Sequence, residues 1–225
     1  LLVLSAGVLL VSVLFVAFSC SVDIQESPEM YYVEDSSYGL YFYGENHNLE
    51  NEDMVRAAEA VKDDSYFDSS KPTIIWVHGW EQDYAATDRL LTISRDTFKE
   101  ITMDDISYPE AYRALGYNVA TFCYEGDGET ENYAANLQNI YNYAFGKFLD
   151  SGESLAFLFA SELCITLGDS YSKEITYIGH SCGSFMTLAI NNMVDYFYEN
   201  GATSNKKLIA ANIYLADPYV NTLYD

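Results

Sequence analysis

Apolar positions in this chain fall into short unbroken runs separated by polar, acidic stretches. Residues 73–77 (Thr-Ile-Ile-Trp-Val), 117–124 and 208–216 are runs of strand length with hardly a polar interruption. The run at 73–77 is what a strand buried on both faces of a parallel sheet shows. Residues 38–43 and 174–178 read as two more strands. Helical periodicity marks 54–61, 132–149, 153–167 and a long stretch from Phe185 to Tyr198. Residues 81–112 are acidic and partly helical, and 44–52, 63–72 and 125–129 are loops, the second ending at the breaker Pro72. The order strand, helix, strand, helices, strand, helix, strand predicts an α/β domain with a mostly parallel sheet and helices on both faces.

One motif sits where this pattern gives it meaning. Gly179-His180-Ser181-Cys182-Gly183 matches G-x-S-x-G and lies between the strand at 174–178 and the long helix. A sharp strand-to-helix turn strains the backbone at the serine and lifts its hydroxyl into the open. Gly179 and Gly183 keep side chains out of the place where strand and helix approach. The N-terminus of the new helix also points its dipole at the reacting centre. Ser181 is therefore the candidate nucleophile.

A serine nucleophile needs a base, an acid that orients the base, and donors for the oxyanion. The amide of Cys182 opens the helix and is one candidate donor. The amide of Trp80, after His78-Gly79 at the end of the 73–77 strand, is the other. The Trp80 indole then lines the pocket or simply packs. The candidate acid is Asp217, at the end of the strand after the elbow helix, where the loops of an open α/β sheet build their active face. Asp217-Pro218 is equally a turn signal. Glu125 and Asp127 precede the elbow and belong to the rim. For the base, the chain order serine, acid, histidine calls for a histidine after Asp217. The three histidines are His47, His78 and His180. His180 is expected to point back into the structure, His78 to hydrogen-bond to backbone, and His47 to lie in a distant loop. The base is thus expected beyond residue 225, and residues 1–225 by themselves are expected to turn over little or nothing.

Charge narrows the partners. The formal net charge is −23, from 34 acidic and 11 basic residues among 225. Such a chain repels nucleic acid and anionic membrane surfaces, and leaves uncharged or zwitterionic lipid compatible. Residues 1–18 are almost unbrokenly apolar and read as part of a secretory signal, with Ala17 and Ser19 ahead of a cut before Cys20. A signal anchor is the rival reading, and Phe18 makes Cys20 a poor lipid-attachment site. Residues 21–37 read as a linker and 38–225 as one catalytic domain. The four cysteines are no disulfide framework. Cys123 and Cys164 read as buried thiols, with a bridge between them left open. Neither metal-ligand spacing nor a nucleotide-binding glycine motif is present, so no cofactor is expected.

These motifs together resemble the α/β-hydrolase superfamily, and within it the animal-type lipases of the pancreatic lipase group with their phospholipase relatives. Residues 41–46 resemble that group's N-terminal strand and Asn-bearing loop. Residues 71–80 are similar to its oxyanion strand, 124–128 and 132–140 to the loop and helix after the next strand, and 215–218 to its Leu-Asp-Pro strand end. The resemblance covers about residues 38–220. It implies the α/β-hydrolase fold, Ser181 as nucleophile, Asp217 as acid, and the amides of Trp80 and Cys182 as oxyanion hole. Cys182 stands where the group has Leu, and Ala216 interrupts the Leu-Asp-Pro pattern. Two functions follow as expectations: a secreted serine esterase, lipase-like, acting on an acyl ester with transient contact to a lipid interface, or a catalytically inactive lipase-fold protein used for binding or storage.

Overall fold

The computed structural model describes residues 27–32, 38–48, 53–79, 102–103, 106–124 and 154–216. The apolar segment 1–20, the helical stretch 132–149, Cys20, Glu125 and Asp127 lie outside them.

The described chain is an α/β structure around a six-stranded, mostly parallel mixed sheet. Its strands are β1 (Gly39–Tyr43), β2 (Met54–Arg56), β3 (Thr73–Val77), β6 (Asn118–Cys123), β7 (Ile175–His180) and β8 (Asn212–Ala216), in spatial order β2-β1-β6-β3-β7-β8. Strands β6, β3, β7 and β8 run parallel, whereas β1 pairs antiparallel with both β2 and β6. A two-stranded hairpin, β4 (Thr102–Met103) with β5 (Ile106–Ser107), stands apart. The helices are α1 (Ala57–Ala60), α2 (Tyr108–Ala114), α3 (Leu155–Leu167) and α4 (Gly183–Glu199).

Helices cover both faces because strand side chains alternate. Leu40, Phe42, Ile75, Val77, Ala120, Phe122, Ile175 and Tyr177 face α1, α3 and α4 in one core cluster. Phe122 stacks on Phe159 of α3 at 4.6 Å between ring centroids. On the other face, Tyr43, Trp76 and Val119 meet Tyr108 and Tyr112 of α2. Strand β3 is buried along its whole length, as its unbroken apolar run predicts. Helix α3 is buried nearly all round. It is wedged between β1, α1 and α4, and residues 27–32 lie along it, inside the stretch read as a linker. Tyr31 meets Phe157 at 5.8 Å, and Tyr32 Oη hydrogen-bonds Thr166 Oγ1 at 2.9 Å.

Two boundaries depart from the periodicity. The helical pattern at 54–61 splits into β2 and the single turn α1. The reason is Arg56, whose guanidinium reaches the buried carboxylate of Glu162 on α3. The strand expected over 208–216 forms only at Asn212–Ala216. Before it, Asn205 caps a 3-10 turn at Lys206–Leu208, and the Asn191 side chain takes the Ala210 N–H at 2.9 Å. These polar caps hold the backbone out of the ladder.

The Arg56–Glu162 pair is the main polar contact inside an apolar layer. Glu162 Oε2 also accepts from Leu40 N at 2.7 Å and from Arg56 Nε at 3.2 Å. Burial pushes the Glu162 carboxyl up, against the pull of Arg56 and the Leu40 amide. Removing one member of such a pair leaves the other desolvated and unmatched. Glu162→Leu is expected to destabilise the fold by roughly 3–5 kcal/mol in urea unfolding. Arg56→Met combined with Glu162→Leu is expected to recover part of that loss.

Candidate active site

The position of the site follows from strand order. The chain leaves β3 towards β6 on one side, and leaves β7 towards β8 on the other. The carboxyl ends of β3 and β7 therefore flank a topological switch point, where open α/β sheets open a crevice. The two strands end level, since Val77 is in register with Gly179. His78 and Gly79 leave β3 at that end, and Ser181 leaves β7 there.

Ser181 occupies the turn between β7 and α4 with φ +50°, and among the described residues it alone is a non-glycine with positive φ. A left-handed serine costs on the order of 1–3 kcal/mol and persists only where its surroundings over-determine it. They do so here. Ser181 N–H donates to Ala216 O at 2.9 Å, which ties the turn to the end of β8. Ser184 N–H donates to Ser181 O at 3.0 Å, which starts α4.

Close approach explains the flanking glycines. A Cβ on Gly183 would overlap the carbonyl oxygens of Val77 and His78. One on Gly179 would lie 2.5 Å from Thr187 Oγ1 and 2.9 Å from Gly183 O. Across the crevice, a Cβ on Gly79 would meet His180 O and Ser181 Cβ, each at 2.9 Å. Hence α4 can start against the end of β3, and the 78–79 loop can touch the elbow. Ser181 is partly exposed between the buried Gly179 and the buried Cys182 and Gly183. Cys182 is the N-cap residue of α4, and its side chain makes no capping hydrogen bond there.

Around the hydroxyl, Cys182 Sγ lies 3.8 Å from Ser181 Oγ, within the longer reach of a sulfur acceptor. The other groups expected to form the site are placed as follows. His78 is fully buried, with Nδ1 2.9 Å from Gly79 O and Nε2 3.0 Å from Tyr124 O. Its ring stacks on Tyr124 at 4.3 Å, and the Tyr124 hydroxyl donates back to the His78 carbonyl. Burial pushes the His78 ring down to about 4, outweighing both carbonyls, with His180 adding a smaller push the same way. His78 thus bonds to backbone, as expected. His180 is half-buried and stacks on Trp76 on the α2 face, at 6.0 Å and 12°. His47 is buried beyond the end of β1, against Tyr43 at 4.5 Å. Because β1 runs antiparallel to β6, that is the opposite end of the sheet from Ser181. Trp80 and Asp217 lie outside the described residues. Strand β8, which leads to Asp217, ends in register with His180.

Tyr124 is the contact that sequence reasoning did not single out. It was legible as the last residue of a strand, but nothing local reveals that its carbonyl and hydroxyl both close on His78. Cys123, Cys164 and Cys182 are buried thiols outside any disulfide, so no Cys123–Cys164 bridge exists. Burial pushes the Cys164 thiol up to about 12, which keeps it protonated and unreactive. Among the described residues, no group of three or more His, Cys, Asp or Glu side chains could hold a metal ion. No described helix is long and apolar enough to cross a membrane.

Two outcomes test this packing. Gly183→Ala forces a methyl group onto two backbone oxygens and is expected to destabilise the fold by about 3 kcal/mol in urea unfolding. The second concerns pH. His78 titrates near 4 when folded, below the 6.5 of an unperturbed histidine. Between those values the unfolded chain binds a proton that the folded one refuses. His78 therefore leaves stability intact above about pH 6.5 and lowers it as pH falls towards 4, by on the order of 3 kcal/mol. Urea unfolding of the wild type and of His78→Asn across pH 4–7 isolates that component, and parallel profiles would refute it. No protein-family model matches the chain, and no curated protein matches it.

Proposed function

We propose that this protein is a serine carboxylic-ester hydrolase of the α/β-hydrolase fold, lipase-like, acting on an uncharged acyl ester. The observation that carries this reading is the strained serine at the switch point. Ser181 stands at φ +50° on a strand-to-helix turn, with the Gly79 loop packed against it. Little in a purely structural turn calls for that strain, whereas a nucleophilic elbow uses it to expose the hydroxyl.

In this reading Ser181 Oγ attacks the ester carbonyl. The amides of Cys182 and Trp80 stabilise the oxyanion, the alcohol leaves, and water releases the acyl group from Ser181. Asp217 orients the general base. That base is none of the three histidines of residues 1–225: His78 is engaged with two carbonyls, His180 lies on Trp76, and His47 is at the far end of the sheet. The likeness to the pancreatic lipase group favours a lipid ester, a secreted protein and transient contact with a lipid surface, and the net charge of −23 favours uncharged or zwitterionic lipid.

The placement of the three histidines also favours a second reading, in which the fold serves binding or storage without turnover. A serine-directed fluorophosphonate and a short-chain ester separate the two. Hydrolysis and labelling that both vanish in Ser181→Ala, with hydrolysis falling by at least about a thousandfold, support the hydrolase. An unreactive wild-type protein with no histidine encoded after Asp225 favours the binding reading.

A further inference from the structure

On the α2 face of the sheet, a groove of about 550 Å3 opens over β3, β7 and β8. That lies within the roughly 300–1,000 Å3 of small-molecule sites. Strand register builds its floor. Ile74 is in register with Thr176 and Thr176 with Asn212, and two positions further along Ile178 is in register with Tyr214. Side chains in register on parallel strands share a face, so these line the groove together. Tyr112 and Tyr117 wall one side, with their rings edge-on at 6.0 Å and 76°. Tyr214 is 60% exposed on β8. The groove therefore offers apolar and aromatic surface to a ligand from solvent.

Charge gathers at the end where β7 and β8 begin. Lys173 and Lys207 line the groove there, against one carboxylate, Glu174. The chain has 34 acidic and 11 basic residues, so two cations against one acid reverse its overall balance. The buried Asn205 staples the backbones that carry the two lysines. Its Nδ2 donates to Gly168 O at 3.1 Å and to Tyr171 O at 2.7 Å, and its Oδ1 accepts Lys207 N–H at 3.0 Å. Tyr171 in turn is tied to the start of β3, its hydroxyl donating to Lys71 O at 2.8 Å. Loops fixed in advance lose little entropy when a ligand arrives.

We propose that this groove binds an amphiphilic monocarboxylate of the fatty-acid type, with the carboxylate between Lys173 and Lys207 and the apolar body along Ile74, Ile178 and the tyrosines. Two ammonium groups less one carboxylate leave a single positive charge, which a monoanion matches. A cationic amphiphile meets two like charges at the same end. An uncharged one gains the floor alone. The six residues of β7 set the lysine end about 20 Å from Ser181. The groove is thus separate from the elbow and independent of the serine-hydrolase reading.

The experiment titrates the full chain with octanoate, 1-octanol and octyltrimethylammonium at pH 7 and follows backbone amide shifts. Octanoate is expected to saturate, with its largest shifts at Thr176, Ile178 and Tyr214, and to bind more tightly than the other two. Lys173→Gln combined with Lys207→Gln is expected to weaken octanoate roughly tenfold and to leave octanol unchanged. Both lysines are exposed, so the double variant keeps the fold. Tyr214→Ala is expected to weaken both octanoate and octanol. The proposal is overturned if octanoate does not saturate, if octanol or octyltrimethylammonium binds as tightly, if the double lysine variant binds octanoate like the wild type, or if the octanoate shifts centre on Ser181 and Cys182. None of these readouts uses the reactivity of Ser181. An unreactive serine would sink the hydrolase reading and leave this site standing.

Discussion

Everything at this site depends on how closely three backbones approach one another. The end of β3, the turn after β7 and the first turn of α4 meet where a Cβ on Gly183 would overlap two carbonyl oxygens and one on Gly79 would touch Ser181. Sheets and helices ordinarily keep their distance through side chains. Removing Cβ at these glycines lets the helix begin directly against the sheet edge. The rest follows: a strained serine, a loop folded over it, and a helix N-terminus at the same crevice. The packing behind it is conventional. Apolar strands are covered by α1, α3 and α4 on one face and by α2 on the other, and that layer holds the three backbones in register.

Most of this frame was legible in the sequence, because burial on both faces writes itself as unbroken apolar runs. The run at 73–77 became β3 without a change of boundary, and the glycine-serine-glycine motif joins β7 to α4, with Gly179 inside the strand and Gly183 opening the helix. Periodicity failed where a single polar side chain overrode it. Arg56 fell inside the helical pattern at 54–61 but was recruited by Glu162, about a hundred positions away, into an edge strand. Asn205 and Asn191 cut short the strand before β8 in the same way, through side-chain bonds to backbone that no hydropathy pattern records. The antiparallel β1 and β2 escaped the strand-helix alternation for a related reason, since pairing direction lies in the connections rather than in the strands.

The candidate site was legible as chemistry and less so as geometry. Serine, glycines and histidines could be assigned to a turn and a loop by their spacing. The closure of Tyr124 on His78 could not, because it joins residues 46 positions apart through a carbonyl and a hydroxyl whose directions depend on the finished sheet. Of the groups named from sequence, Gly79 lies against His180 and Ser181. His180 lies on Trp76, and His47 lies at the opposite end of the sheet.

The strain at Ser181 also argues about where this protein spends stability. A serine at φ +50° works against the fold, and a buried histidine with two acceptors and one proton does the same. Both unfavourable features lie within a few residues of one crevice. In the middle of α3, by contrast, the buried Glu162 has each oxygen matched by a donor. The Arg56–Glu162 contact is thus satisfied, whereas two groups where β3 meets the turn are held in unfavourable states. Such a distribution fits a scaffold that is over-determined so that one short turn can be held in an unfavourable state. Two hydrogen bonds hold that turn, from Ser181 N–H to Ala216 O and from Ser184 N–H to Ser181 O, and they tie it to the end of β8 and to the first turn of α4.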